Sequence, residues 1–185
     1  MVKHVFLISG KRKCGKDFCC SILYEILKNS YNVKIVGVSY SLKHQYAKQF
    51  GLSYEQLLTE GSYKEQYREN MIVWGEELRE KDPSVFCREA VRMAGECDIL
   101  IVSDCRRISD LDYFQSQFPN DHTTIRISAS IPIREKRGYK FKAGVDDALS
   151  ECGLDDYDFK YYFENESTEE YARTFFSSVE AVELK

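Results

Sequence analysis

Hydrophobic positions along the chain fall into two alternating patterns. Short, nearly continuous apolar runs occur at 5–8, 33–38, 98–104, 123–127 and 161–163. Their length and content predict strands, and the unbroken run Ile99-Leu100-Ile101-Val102 predicts one buried on both faces. Between these runs apolar residues are spaced at helical intervals. Phe18, Ile22 and Ile26 recur every four residues and predict a helix over 17–28, ending near Asn29-Ser30. Ser41 is expected to cap a short helix carrying Leu42, Tyr46 and Phe50 and closed by Gly51, and Ser53 to open a brief one through Leu58. The stretch 62–81 reads as a longer helix in which Trp74 is a core anchor. Asp82-Pro83 reads as the cap and first residue of a helix through Phe86, Ala90, Val91 and Ala94 that stops at Gly95. Short helical patterns follow at 110–117 and from about Thr168. Strands that alternate with helices throughout define an α/β protein, with a parallel sheet carrying helices on both faces.

Length and composition narrow this picture. A chain of 185 residues is expected to form one domain with one core. An apolar content of 43% excludes a disordered chain, and no apolar run approaches the ~20 residues of a membrane span. The brief N-terminal run leads into Lys11-Arg12-Lys13, which is not a signal-peptide layout. Seven cysteines without a C-x-x-C pair read as reduced thiols of an intracellular protein, with Cys19 and Cys20 packing the first helix.

Charge brings in the chemistry. The net charge is −4, yet basic residues cluster: Lys11, Arg12, Lys13 and Lys16; Arg106 and Arg107; Arg134, Lys136, Arg137, Lys140 and Lys142. An acidic chain with local basic clusters suits small polyanions better than nucleic acid. The first cluster lies in Ser9-Gly10-Lys11-Arg12-Lys13-Cys14-Gly15-Lys16-Asp17, a G-x-x-x-x-G-K loop between a strand and a helix. In that context Gly10 and Gly15 let backbone N–H groups close on phosphate oxygens while Lys16 reaches the outer phosphates. The loop is read as a nucleoside-triphosphate site, against the plainer reading of a glycine loop with solvated lysines. Asp17 stands where Ser or Thr is usual, and would hold Mg²⁺ directly or through water, or cap the helix start. Asp104, at the carboxyl end of the apolar strand, is the second candidate near Mg²⁺, or else a local partner of Arg106 or Arg107. The segment 133–139 reads as a mobile lid with Arg134 and Arg137 on one face, or as a basic surface helix. His4, His44 and His122 fall outside the clusters, so no strong general base is expected.

The ordered set Ser9–Phe18, Leu42-Lys43, Tyr63-Lys64-Glu65, Trp74-Gly75-Glu76-Glu77, Val102-Ser103-Asp104 with Arg106-Arg107, Gly144–Ala148 and Ser150–Asp155 resembles the animal-type phosphomevalonate kinase family over nearly the whole length. Asp17 in place of Ser or Thr is itself a family trait. The resemblance implies a P-loop, nucleoside-monophosphate-kinase-like fold with a mobile lid. It implies transfer of the γ-phosphoryl of ATP, with Mg²⁺, to (R)-5-phosphomevalonate in the mevalonate route to isoprenoids. It places Lys16, Arg12, Lys13, Arg106 and Arg107 in catalysis. Gly10, Lys11, Cys14, Gly15, Asp17, Arg134, Arg137 and Asn165 join Arg12, Lys13 and Lys16 at the nucleotide. Lys43, Lys64, Arg68, Arg79 and Arg126 join Arg106 and Arg107 at the acceptor. The implied partners are ATP and 5-phosphomevalonate alone, without nucleic acid or membrane. The chain is expected to be monomeric, with residues about 40–95 on the substrate side and about 130–145 in the lid. The ending Val182-Glu183-Leu184-Lys185 is not of the peroxisomal S-K-L type, so the expected compartment is the cytosol.

Overall fold

The computed structural model describes residues 2–59, 61–166 and 168–184; Lys185, part of the terminus read for targeting, lies outside them. In chain order the elements are β1 His4–Ser9, α1 Lys16–Leu27, β2 Val33–Val36, α2 Val38–Phe50, α3 Tyr54–Leu58, α4 Ser62–Lys81 and α5 Val85–Ala94. There follow β3 Ile99–Cys105, α6 Ile108–Gln117, β4 His122–Ser128, α7 Ile131–Lys136, α8 Leu149–Cys152, β5 Tyr161–Glu164 and α9 Glu169–Glu183.

The strands form one sheet, order β2-β3-β1-β4-β5, every pair parallel. Successive side chains point to opposite faces of a strand, and the two cores divide accordingly. Phe6, Ile8, Ile99, Ile101, Ile125 and Ile127 pack with α1 and α9. Val5, Leu7, Leu100 and Val102 pack on the other face with Phe86, Cys87, Leu111 and Phe114. Every residue of β1 and β3 is buried, as the continuous apolar runs require. A third cluster of Tyr46, Ala47, Leu57 and Met71 ties α2, α3 and α4 together, and Trp74 packs against it and the second core alike. All seven cysteines are free, and burial pushes the Cys19 thiol up to about 12.

Pairing of β1 with β3 runs Leu7↔Val102 and then Ser9↔Cys105, so β3 carries one extra residue beside the phosphate loop. Such a bulge bends the strand and re-aims its side chains, here around Asp104.

One helix face and several element boundaries differ from the sequence expectation. The buried face of α1 is Cys19, Cys20, Ile22, Leu23 and Leu27, while Phe18 is 42% exposed. Cys19 and Cys20 pack this helix as expected, in the cluster shared with Ala172, Phe176 and Val179 of α9. β2 ends at Val36, and Gly37 is already the N-cap of α2. Ser41 therefore caps nothing: it is buried, with its hydroxyl donating to Val38 O and Phe86 O. The start of α2 is instead met by Asp104, whose Oδ2 accepts the Ser39 N–H at 3.1 Å. α5 begins at Val85, two residues beyond Pro83, because Asp82 serves as the C-cap of α4 and accepts the Ser84 N–H. α6 begins at Ile108, which makes Asp110 an interior residue of its first turn.

Candidate active site

The phosphate loop leaves β1 at its carboxyl end and enters α1 directly. Gly15 is the N-cap with φ 91°, and Lys13 is also left-handed with φ 65°. A Cβ on Gly15 would run into Asn165 Nδ2, and one on Gly10 into the carbonyl of Ile127. Glycine is needed at both places because other backbone or amide groups fill the space. Asn165 donates from Nδ2 to Cys14 O at 2.9 Å, and Arg137 donates to the same carbonyl and to Asn165 O at 2.8 Å. Lys16 is buried, its Nζ donating to Gly10 O at 2.5 Å and Lys11 O at 3.3 Å. These bonds hold the ammonium across the loop, where it can exchange carbonyl oxygens for phosphate oxygens.

A cleft of about 520 Å³ opens above the loop, lined by Arg12, Lys13, Gly15, Lys16 and Asp17, with Arg137 and Gly138 from the segment after α7. It runs into a second cavity, because Ser39, Lys43, Lys64, Arg68, Asp104, Arg106 and Glu151 line both. The second cavity continues to Arg79, Arg107, Glu76 and Asp110 and to an apolar wall of Leu42, Met71, Ile72 and Val145. One channel thus leads from the phosphate loop to an arginine-rich pocket.

Each cation has a specific environment. Burial, with Lys64, Arg106 and Arg68 nearby, pulls Lys43 down to about 8 against the opposing charge of Asp104. Its Nζ donates to Ser39 Oγ at 3.1 Å and lies over the Tyr40 ring. Arg106 donates to Glu151 and to Ser150 O, and Glu151 also accepts the Arg12 N–H at 2.9 Å. Arg107 pairs with Glu76 through Nη2, while its Nε and Nη1 are buried without a hydrogen-bond partner, as is Nε of Arg79. Burial pulls the Arg107 guanidinium below its ordinary value, with Asp110 opposing. Arg68 pairs with Glu65 one turn away. Buried donors without partners cost folding energy unless a ligand meets them, so these guanidiniums point to an anion-binding pocket.

Arg12 makes a two-point pair with Asp146, Nε to Oδ1 at 3.0 Å and Nη2 to Oδ2 at 2.7 Å. Burial disfavours a charged Asp146, but the Arg12 side chain and the Lys142 N–H outweigh it and hold the carboxyl below its ordinary range. Arg134 lies over Tyr139 and donates to Arg12 O.

Asp104 Oδ1 is buried and has no hydrogen-bond partner. Asp17 lines the same cleft, and burial and then these two carboxylates push Tyr40 up to about 12. Among the described residues no three carboxylates, histidines or cysteines form a metal cage. Two carboxylates facing a phosphate cleft fit a divalent cation that completes its shell with phosphate oxygens and water.

Of the residues expected at the site, Arg12, Lys13, Gly15, Lys16, Asp17, Lys43, Lys64, Arg68, Arg79, Asp104, Arg106, Arg107 and Arg137 line the channel. Gly10, Lys11, Cys14, Arg134 and Asn165 do not; Gly10, Cys14 and Asn165 shape the loop from behind, Arg134 holds its backbone, and Lys11 pairs with Asp155 at 2.6 Å. Arg126 is also placed elsewhere, donating to Ser9 Oγ at 2.9 Å and to Asp155 at 2.7 Å under the loop. None of His4, His44 and His122 lines either cavity. Sequence reasoning missed Ser39, Tyr40, Glu76 and Glu151 as lining groups, although the last two fall inside runs that carry the family resemblance.

A glycine loop at the carboxyl edge of a parallel sheet, opening onto carboxylates and converging arginines, defines a P-loop phosphotransferase. The same fold occurs in Chaetomium thermophilum Kti12 in complex with ADP-AlF3, with TM-score 0.56, 12% identity, and 97% and 98% of the two chains covered. It occurs in Mycobacterium tuberculosis APS kinase CysC, with TM-score 0.55, 11% identity, and 97% and 98% covered. In sequence, the model of the phosphomevalonate kinase family matches residues 8–120. The phosphomevalonate kinase of Drosophila melanogaster is 40% identical over 156 residues, 82% of each chain. The chain belongs to the phosphomevalonate kinase family.

Proposed function

We propose that the protein transfers the γ-phosphoryl group of ATP to the phosphate of (R)-5-phosphomevalonate, giving ADP and 5-diphosphomevalonate. Beyond family membership, the observation that carries this reading is the continuity of the phosphate-loop cleft with the arginine-lined cavity. A phosphate acceptor placed in the shared stretch lies between Lys16 and Arg12 on one side and Lys43, Lys64, Arg68 and Arg106 on the other. The remainder of the acceptor then faces Arg79, Arg107 and the apolar wall.

The residues perform the reaction by position and charge. The loop N–H groups and Lys16 hold the outer phosphates, and Arg137 reaches them from the lid. An acceptor oxygen attacks the γ-phosphorus in line, the new P–O bond forms, and the bond to the bridging oxygen breaks, its electron pair leaving with ADP. The acceptor phosphate is already mostly ionised near neutral pH, so no histidine is needed. Asp17 and Asp104 would hold Mg²⁺, which supplies further neutralisation of the phosphate charge when bound. Residues about 40–95 form the acceptor side and about 130–145 the lid of a single domain. The protein works as a cytosolic monomer on ATP and 5-phosphomevalonate alone.

The test is ADP release from Mg·ATP with 5-phosphomevalonate or each common nucleoside monophosphate as acceptor. Turnover with 5-phosphomevalonate alone is expected. Turnover with a nucleotide instead would keep the fold and overturn the acceptor.

A further inference from the structure

Asp110 is fully buried in the first turn of α6, on the wall of the acceptor cavity. Its Oδ2 accepts two consecutive main-chain N–H groups, from Arg106 at 3.0 Å and Arg107 at 3.1 Å. Its Oδ1 faces Arg79 Nη2 at 3.6 Å, across from α4, and the Cys87 thiol at 3.5 Å, across from α5. One carboxylate therefore touches three successive supports of the cavity. We propose that Asp110 is a positioning residue that sets Arg79, Arg106 and Arg107 for the acceptor.

A helix-start role alone does not account for this group. Binding two N–H donors needs only a neutral oxygen, which Asn or Ser supplies. Burying a full negative charge is costly unless a cation meets it, and Arg79 is the cation the structure places within ion-pair distance. The charge thus answers to Arg79, and the hydrogen bonds answer to the turn carrying the other two arginines. The guanidinium carbon of Arg79 also lies over the Phe86 ring, 4.8 Å from its centroid. Arg79 and Arg107 both line the cavity, and each keeps at least one buried N–H group without a protein partner. Asp110 touches no reactant itself and acts through the arginines.

The inference rests on reading this cavity as the acceptor site, and the wild-type acceptor assay separates the two. If the wild type does not phosphorylate 5-phosphomevalonate, that reading fails; if it does, the variants below judge Asp110 alone. Asp110→Asn keeps an oxygen for the N–H donors but sets an amide without charge opposite Arg79. In the folded variant the KM for 5-phosphomevalonate is expected to rise about tenfold, with the KM for ATP within about twofold of wild type. In an Arg79→Met background, adding Asp110→Asn is expected to change the acceptor KM by less than about twofold, because the two act as a unit. That double variant lacks both members of the pair, and it is the one read if Asp110→Asn alone does not fold. An unchanged acceptor KM in Asp110→Asn, an equal rise in both KM values, or a full additional tenfold in the Arg79→Met background would overturn the proposal.

Discussion

Lys43 carries the most readily measured signature of the channel. Its ammonium is drawn down from 10.5 to about 8 by burial among other cations, so it loses charge within the working pH range of many enzymes. In the free enzyme, kcat/KM for 5-phosphomevalonate is therefore expected to fall above about pH 8, and Lys43→Arg is expected to remove that limb; a limb that persists in the variant assigns it elsewhere. The linked stability has the opposite sense. Between about 8 and 10.5 the unfolded chain holds a proton that the native protein has lost, so the contribution of Lys43 to stability rises with pH across that window. Below it, the buried charge is carried at a cost. Lys16 and Arg107 test the charge argument directly. Lys16→Met is expected to lower kcat by about a hundredfold or more while leaving the protein folded, since transition-state charge is what it meets. Arg107→Ala, which removes a cation facing the remainder of the acceptor, is expected to raise the KM for 5-phosphomevalonate about tenfold. Near-normal turnover in the folded Lys16 variant, or an unchanged acceptor KM in the Arg107 variant, would remove that residue from its role. Asp104→Asn is expected to raise the Mg²⁺ concentration for half-maximal rate, and an unchanged metal titration would leave Asp104 as the acceptor of the Ser39 N–H only.

At the scale of elements, the phosphate loop depends on what is packed behind it. Gly15→Ala adds a Cβ toward Asn165 and Arg137 at a residue with φ 91°, so the loop must shift. ATP affinity is expected to fall at least about tenfold, measured by calorimetry, with a melting temperature only a few degrees lower. Wild-type affinity in this variant would mean the loop does not cradle phosphate. The strand–loop–helix unit was legible in the sequence because both its signals are local: four apolar residues in a row, then glycines at the turn. On α1 the packing of Cys19, Cys20 and Ile22 was legible, but the exposure of Phe18 was not, because a four-residue spacing does not register how the helix is rotated against the sheet and α9. α8 has four residues and no period to read. The roles of single arginines were less legible than their number. Arg107 and Arg126 both come from the carboxyl ends of strands. What separates them is tertiary: Asp155 draws Arg126 beneath the loop, while Asp110 and Glu76 hold Arg107 in the cavity. Glu76 and Glu151 were not legible as site residues because their sign is wrong for contact with a phosphate. In the folded protein they neutralise Arg107 and Arg106 within the cavity.

For the whole molecule, the strand order brings the carboxyl ends of β1 and β3 together, so the phosphate loop and the Asp104–Arg107 turn face one space. Helices α2 and α4 wall that space and supply Lys43, Lys64, Arg68 and Arg79. The net charge of −4 sits elsewhere on the surface, and cations are concentrated where two phosphorylated reactants would repel each other. The central claim is that this one channel joins phosphate to phosphate. The most direct measurement is ³¹P NMR of the wild-type reaction with Mg·ATP and 5-phosphomevalonate. The account predicts loss of the phosphomonoester and γ-phosphate signals together, with two mutually coupled diphosphate signals beside those of ADP. Release of inorganic phosphate, or a second phosphomonoester signal from transfer to a hydroxyl, would contradict it.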